Sequence, residues 1–199
     1  TTTKYTARSE EMFEEIANRC SKLANLIPGN VAFFFPSYNL RDKIGYFIKT
    51  EKEYFWEKSE MSKEEKEAFI KEFKEEKVKG GILLGVAGAN FAEGVDLPGD
   101  LLQGVVIVGL PLAKPNLITK KIIEYFEDKF NRGWDYGYIF PAMNKCLQSA
   151  GRCIRSENDK GAIIFLDARF TWPRYFNCLP REGLIVSRDY EDLIEEFFE

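Results

Sequence analysis

Residues 81–110, GILLGVAGANFAEGVDLPGDLLQGVVIVGL, contain two short apolar runs separated by a loop rich in glycine, aspartate and proline. The runs at 81–87 and 105–110 are continuously apolar, which is typical of strands that are buried on both faces of a parallel sheet. Three further apolar segments are predicted strands, namely VAFFF (31–35), YFW (54–56) and AIIFLD (162–167).

Amphipathic segments alternate with these strands and predict helices. Ser9 is placed to cap the first of them, and the spacing of Ser62 and Glu65 is that of a capping box. The predicted helices cover about 9–24, 37–49, 62–77, 116–130, 138–155 and 189 onward, with a short aromatic helix or turn within 169–180. The alternation predicts an α/β fold, a mostly parallel sheet covered by helices on both faces. No linker or repeat divides residues 1–199, so one domain is expected.

The composition excludes several kinds of site. The chain has 199 residues, a net charge of -4, no histidine and four cysteines without a C-x-x-C pair. Histidine-dependent nucleophile pairs and histidine-ligated zinc are therefore excluded, and a zinc ribbon or disulfide framework is not expected. The cysteines are expected to be reduced and mostly buried, in a cytosolic protein. The apolar runs are too short to span a bilayer, so no membrane partner is expected. Nucleic-acid binding would need a local basic patch.

The stretch QSAGRCIRSENDKG, residues 148–161, has the residue types that a phosphate site needs. On a helix with Gln148 at zero, Arg152 lies near ~40° and Arg155 near ~-20°, so the three share one face. Cys146 and Cys153 fall on the opposite, apolar face. Arginine matches phosphate oxygens and can stabilise the transition state of phosphoryl transfer. A solvent-exposed arginine face without a ligand is the alternative, and spacing alone does not decide.

The same stretch, followed by IIFLDARF (163–170), resembles motif VI of the XPD family of superfamily 2 DNA helicases. EGVDLPG (93–99) resembles motif V of that family, VAFFFPSY (31–38) resembles its motif IV, and TTTKYTARSEEMF resembles the start of its second motor domain. The resemblance covers nearly the whole chain. It implies a RecA-like fold and the second of two motor domains, as a fragment of a larger helicase.

The resemblance also implies roles at an ATP site. Arg152 and Arg155 would be arginine fingers at the γ-phosphate, with Gln148 helping to sense it. Gly94 and Asp96 of motif V would lie at the same nucleotide-binding cleft and link it to the DNA side.

Contacts with single-stranded DNA are implied for Ser37 and Tyr38 of motif IV and for Asn90 and Phe91 of motif V. Members of the family often carry a basic residue where this chain has Asn90, and a serine where it has Ala92. These departures predict a DNA contact from motif V that is weaker or differently made.

Aromatic and basic residues form two further candidate DNA sites. Trp172 and Arg174 lie in a compact cluster that could stack on bases at about 1–3 kcal/mol per base. Tyr136 and Tyr138, near Trp134, form a second candidate. Packing in the core is the alternative for the Trp172 cluster.

The resemblance implies an ATP-dependent 5′-3′ helicase with a role in DNA repair, in an archaeal cytoplasm or a nucleus. This chain has neither a phosphate loop nor a D-E-A-H box. ATP and Mg²⁺ would therefore be bound mainly by the first motor domain. An iron–sulfur cluster would belong to the parent protein only, and this chain alone would be inactive. Its partners would be the first motor domain, single-stranded DNA and repair-complex proteins. A non-catalytic module that docks such proteins and a bacterial-type relative with an exonuclease domain are the alternatives.

Overall fold

The computed structural model describes residues 1–76, 79–92, 101–112, 114–154 and 159–199. Three predicted site residues, Gly94, Asp96 and Arg155, lie outside the described residues.

The core of the fold is a five-stranded sheet in which every pair of neighbouring strands is parallel. The strands are β1 (Val31–Phe35), β2 (Glu53–Trp56), β3 (Gly81–Val86), β4 (Gly104–Ile107) and β5 (Ala162–Phe165). Their order is β2-β3-β1-β4-β5. All residues of β1, β3 and β4 are buried, as their continuously apolar sequences predict. The predicted RecA-like α/β fold is confirmed.

Strand β4 ends earlier than its apolar run, which continues to Leu110. Gly109 has φ 87°, a left-handed conformation in which the strand does not continue. The side chain of Thr3 also fills the space that a Cβ at residue 109 would occupy. The amino-terminal segment therefore packs against the end of this strand.

Helices cover both faces of the sheet. The helices are α1 (Glu10–Leu26), α2 (Tyr38–Gly45), α3 (Lys63–Glu75), α4 (Leu117–Phe130), α5 (Phe140–Ala150), α6 (Pro173–Phe176) and α7 (Glu191–Phe198). Buried residues of α1, α2 and α7 form one half of the core with Phe33 and Phe35, and residues of α3 and α5 form the other half with Phe34. Alternate residues of β1 thus supply opposite halves of the core.

The predicted helix caps form. The hydroxyl of Ser9 accepts a hydrogen bond from the Met12 amide at 3.2 Å. Ser62 and Glu65 form the reciprocal capping box, with each side chain accepting from the backbone amide of the other residue. These two helices therefore begin where the sequence predicts.

The predicted helix over 138–155 is wrong at both ends. A π-helical turn, Asp135–Ile139, precedes α5, and α5 ends at Ala150. The amides of Arg152 and Cys153 instead donate to carbonyls three residues back, at 3.2 Å each. This tight turn buries Cys153 against Gly161, where its sulfur occupies the space of a missing Cβ. Arg152 therefore lies in a turn beyond the helix, and the helical face that was predicted to carry it does not extend that far.

Candidate functional site

The carboxyl ends of the five parallel strands meet along one edge of the sheet. In the strand order β2-β3-β1-β4-β5, the connection that leaves β1 runs toward the β2 edge of the sheet. The connection that leaves the neighbouring strand β3 runs in the opposite direction, to β4. This reversal between β3 and β1 is a topological switch point, where doubly wound sheets bind their ligands. Ser37 and Tyr38 follow β1 there, and residues 87–92 follow β3.

Glu57 holds the backbone of residues 86–92. It directly follows β2 and is only 1% exposed. Its Oε2 accepts from the Val86 amide at 2.7 Å, and its Oε1 accepts from the Phe91 amide at 3.3 Å. Burial raises the pKa of the Glu57 carboxyl, while the backbone donors and the nearby Arg41 oppose that shift. Sequence reasoning missed this residue, and its only sequence signal is a carboxylate placed directly after a predicted strand.

Tyr38 and Asn90, two predicted DNA-binding residues, lie beside Glu57. Burial raises the pKa of the Tyr38 hydroxyl to about 12, and the charge of Glu57 shifts it in the same direction, whereas contact with Asn90 opposes it. The Asn90 amide donates to the Lys58 carbonyl at 2.9 Å. The structure therefore brings together residues of the predicted motif IV and motif V segments.

Arg41 packs under this cluster. It is 7% exposed, and its guanidinium lies 4.9 Å from the centre of the Tyr38 ring and 5.3 Å from that of Trp56. It donates to the main-chain carbonyl of Glu57, and its ion pair is with Asp42 at 2.6 Å. Arg41 thus fixes Tyr38 and the end of β2 relative to each other.

Ser37 serves first as a helix cap. Its hydroxyl accepts from the Leu40 amide at 3.3 Å and starts α2. This bond orients the first turn of α2, and with it Tyr38, at the carboxyl edge of the sheet.

Arg152 reaches the same segment from the other direction. Its Nε donates to the carbonyl of Ala92 at 3.0 Å, and the side chain is half-buried. Gln148 lies exposed in the last turns of α5. The switch-point edge therefore brings together residues from four separate parts of the sequence: 37–38, 57, 86–92 and 152.

Phe91 requires a correction to the predicted DNA-binding set. Its side chain is fully buried, and its ring stacks on Phe69 of α3 with ring centres 4.5 Å apart. A ring in this position stabilises the packing of the loop on α3 and is not available to a base.

A second surface combines exposed tryptophans with arginines. The side chains of Trp134 and Trp172 are 44% and 49% exposed. Asp135 connects their segments: Arg132 Nε donates to its Oδ2 at 3.1 Å, and Arg174 Nε lies 3.3 Å from its Oδ1. The core-packing alternative fits Tyr175 and Phe176, which are partly buried against the core, and does not fit Trp172.

A buried ion pair closes the edge beyond β5. The Asp167 carboxylate accepts from the Thr3 amide at 2.7 Å and from Arg169 Nε and Nη2 at 2.9 and 2.8 Å. Burial alone would raise the pKa of Asp167, but the bonds and charge of Arg169 outweigh it and lower the pKa. The pair thus anchors the amino-terminal segment to the carboxyl end of β5.

The cysteines do not form a cluster. Cys20, Cys146 and Cys153 are buried, and burial raises the pKa of the Cys146 and Cys153 thiols to about 12, so they stay protonated. Across the described ranges no group of three or more cysteine or carboxylate side chains is placed to hold a metal ion. Nor does any described helix have the length and apolar character needed to cross a membrane.

Comparisons with known proteins identify helicases as relatives of this chain. A sequence profile of the helicase C-terminal domain matches residues 20–182. The ATP-dependent DNA helicase XPD of Sulfolobus acidocaldarius is 31% identical over 186 residues, which cover 89% of this chain and 32% of that protein. A probable ATP-dependent helicase of Methanocaldococcus jannaschii is 38% identical, over 85% of this chain and 28% of that protein. A solved apo XPD structure matches with a TM-score of 0.73 at 28% identity, over 89% of this chain and 36% of that chain. The chain spans about a third of the length of these relatives.

Proposed function

Since this chain belongs to the family of helicase C-terminal domains, we propose that it acts as the second motor domain of an ATP-dependent DNA helicase. The helicase would be of the XPD type and would move 5′ to 3′ along single-stranded DNA, with a role in DNA repair in an archaeal cytoplasm or a nucleus. One observation supports this proposal most: Tyr38, the 86–92 segment and Arg152 converge at the switch point of the sheet.

In this proposal the first motor domain makes most of the contacts with ATP. Residues at this edge of the sheet complete the ATP-binding site. Arg152 and Arg155 act as arginine fingers that stabilise charge on the γ-phosphate, which is a role that suits the planar, always charged guanidinium. Gln148 senses the phosphate, and Gly94 and Asp96 contribute from motif V. Mg²⁺ and an iron–sulfur cluster would be held by the rest of the parent protein, and this chain alone would not hydrolyse ATP.

Single-stranded DNA would bind to Ser37, Tyr38 and Asn90, and to the surface of Trp172 and Arg174. Cleft closure on ATP would bring the arginines to the phosphate, and reopening after hydrolysis would be coupled to a step along the DNA. Exposed indole rings supply sequence-independent stacking, which suits a motor that passes over every base.

The test is ATP hydrolysis by the full-length protein with Arg152→Ala. We expect kcat to fall at least a thousandfold, since a lost arginine finger costs about 10³–10⁵ in rate, while affinity for single-stranded DNA changes little. Arg19→Ala, a change at a partly exposed arginine of α1, is the matched control and should leave kcat unchanged. Turnover by the 199-residue chain alone, or full activity of the Arg152→Ala protein, would refute the proposal.

A non-catalytic docking module is the second candidate, and helix α4 favours it. None of its 14 residues is buried, and Leu117, Ile118 and Tyr125 are more than half exposed. An apolar surface of this kind is typical of an interaction site, here for proteins of a repair complex. A full-length protein that binds DNA-repair proteins but hydrolyses no ATP would decide for this candidate.

A further inference from the structure

Glu57 has no role in the proposed ATP or DNA contacts, yet it contacts the segment on which both depend. Its carboxylate accepts from the amides at both ends of the 86–91 stretch, 29 and 34 residues further along the chain. Within the same segment, the Ala87 amide donates to the Phe35 carbonyl at 2.9 Å and the Ala89 amide donates to Val86 at 3.0 Å. Glu57 thus joins the start of this loop to its end.

A buried carboxylate is a costly way to stabilise a core. In the described part of the chain no cation lies within ion-pair distance of this carboxylate; the nearby Arg41 donates to the main-chain carbonyl of Glu57 and pairs with Asp42. Gly85 of β3 leaves space for the Glu57 carboxylate, because a Cβ at residue 85 would lie only 3.0 Å from Glu57 Oε2. These features indicate that the carboxylate serves the backbone donors that it satisfies and the Tyr38 hydroxyl beside it.

The loop that Glu57 orders presents two groups of the site. The Ala92 carbonyl accepts a hydrogen bond from Arg152 Nε at 3.0 Å. The Asn90 side chain lies between the Tyr38 hydroxyl and the Lys58 carbonyl. A shift of the 86–92 backbone would therefore move the partner of Arg152 and a predicted DNA contact together.

We propose that Glu57 is a positioning residue: its carboxylate fixes the backbone of residues 86–92 and thereby sets the orientation of Arg152 for ATP hydrolysis. The inference that Glu57 orders the loop rests on the contacts in this structure alone, whereas the inferred effect on hydrolysis also rests on the proposed helicase function.

The matched control lies at the opposite end of the same strand. Asn30 is fully buried, and its Oδ1 accepts from the Gly81 amide at 2.7 Å, just as Glu57 accepts from Val86 at the other end of β3. Asn30→Ala therefore removes a buried acceptor from a β3 amide without touching residues 86–92.

Amide hydrogen exchange of the 199-residue chain tests the ordering. In Glu57→Gln, exchange of the Val86 and Phe91 amides should accelerate about tenfold, because one charged acceptor becomes a neutral group with a donor facing an N–H. In Asn30→Ala, acceleration should instead centre on Gly81. Unchanged exchange at 86–91 in Glu57→Gln would overturn the proposal.

Steady-state kinetics of the full-length protein test the effect on hydrolysis. Glu57→Gln should lower kcat about tenfold with less than a twofold change in KM for ATP, and Asn30→Ala should lower activity only in proportion to unfolded protein. Gly85→Ala, which keeps the carboxylate but displaces it, should resemble Glu57→Gln and serves if that variant does not fold. Equal losses in the Glu57 and Asn30 variants would overturn the positioning role. Inactive wild-type protein would refute the proposed function, while the exchange result would still decide whether Glu57 orders the loop.

Discussion

Replacing Asp167 by Asn is expected to destabilise the chain by about 3–5 kcal/mol, the usual cost of removing one partner of a buried ion pair. The Asp167 side chain is fully buried, and its two oxygens accept from both Thr3 and Arg169. The asparagine amide keeps one acceptor oxygen, but its NH₂ group would face the N–H donors of Thr3 or Arg169 and could not accept from them. It also leaves the buried Arg169 guanidinium without its carboxylate.

Urea denaturation at pH 7 measures this loss. With a slope of about 2 kcal/mol per molar urea, the midpoint should fall by roughly 1.5–2.5 M. Glu191→Gln is the control: it breaks the half-exposed pair of Lys22 and Glu191 and should cost less than about 1 kcal/mol. If Asp167→Asn also cost less than 1 kcal/mol, the buried pair would not hold the amino-terminal segment, and the reasoning would fail.

The dependence on pH gives a second check on the same pair. The folded pKa of Asp167 is lowered, so its contribution to stability is present above the ordinary aspartate pKa of about 3.9. That contribution is lost as the pH falls through the lower, folded pKa. The difference in stability between wild type and Asp167→Asn should therefore shrink below about pH 4, and a difference that grew in acid would contradict the assignment.

Three further predictions concern other parts of the structure. The pKa of Glu57 is raised, whereas that of Asp167 is lowered, so the stability of the two variants should depend on pH in opposite directions. Wild-type stability should fall relative to Glu57→Gln as the pH rises above the ordinary glutamate pKa, as measured by urea denaturation at several pH values. Trp172→Ala should weaken single-stranded DNA binding by the full-length protein by about 1–3 kcal/mol in fluorescence anisotropy, whereas Tyr5→Ala, at an 81% exposed ring, should not. Gly109→Ala should lower the free energy of unfolding by about 1–3 kcal/mol, because it combines a positive φ with a clash against Thr3, and an unchanged urea midpoint would contradict this.

Local sequence patterns predicted the sheet and most helix starts. Short apolar runs such as 31–35 and 81–87 identify buried parallel strands because both faces must be apolar, and Ser9 and Ser62 identify helix starts because their hydroxyls satisfy exposed amides. These signals act over a few residues, so they can be read without knowledge of the tertiary structure.

The errors arose where distant contacts decide the local structure. Helix α5 ends at Ala150 because Cys153 turns in to pack against Gly161, which the helical periodicity of 148–155 does not reveal. Phe91 is buried because α3 brings Phe69 onto its ring. Glu57 was missed for the same reason, since its partners lie about thirty residues away in sequence.

Asn90 and Ala92, the two positions where departures from motif V are expected, both make contacts within the loop. Asn90 donates to the Lys58 carbonyl at 2.9 Å, so its side chain ties the loop to the end of β2. Ala92 is fully buried, and a serine hydroxyl there would need a hydrogen-bond partner in the core. Both residues therefore make contacts that stabilise the loop itself. Under the proposed function, DNA affinity should therefore fall less on replacing Asn90 by Ala than on replacing the exposed Trp172 by Ala, because Asn90 already donates to the Lys58 carbonyl.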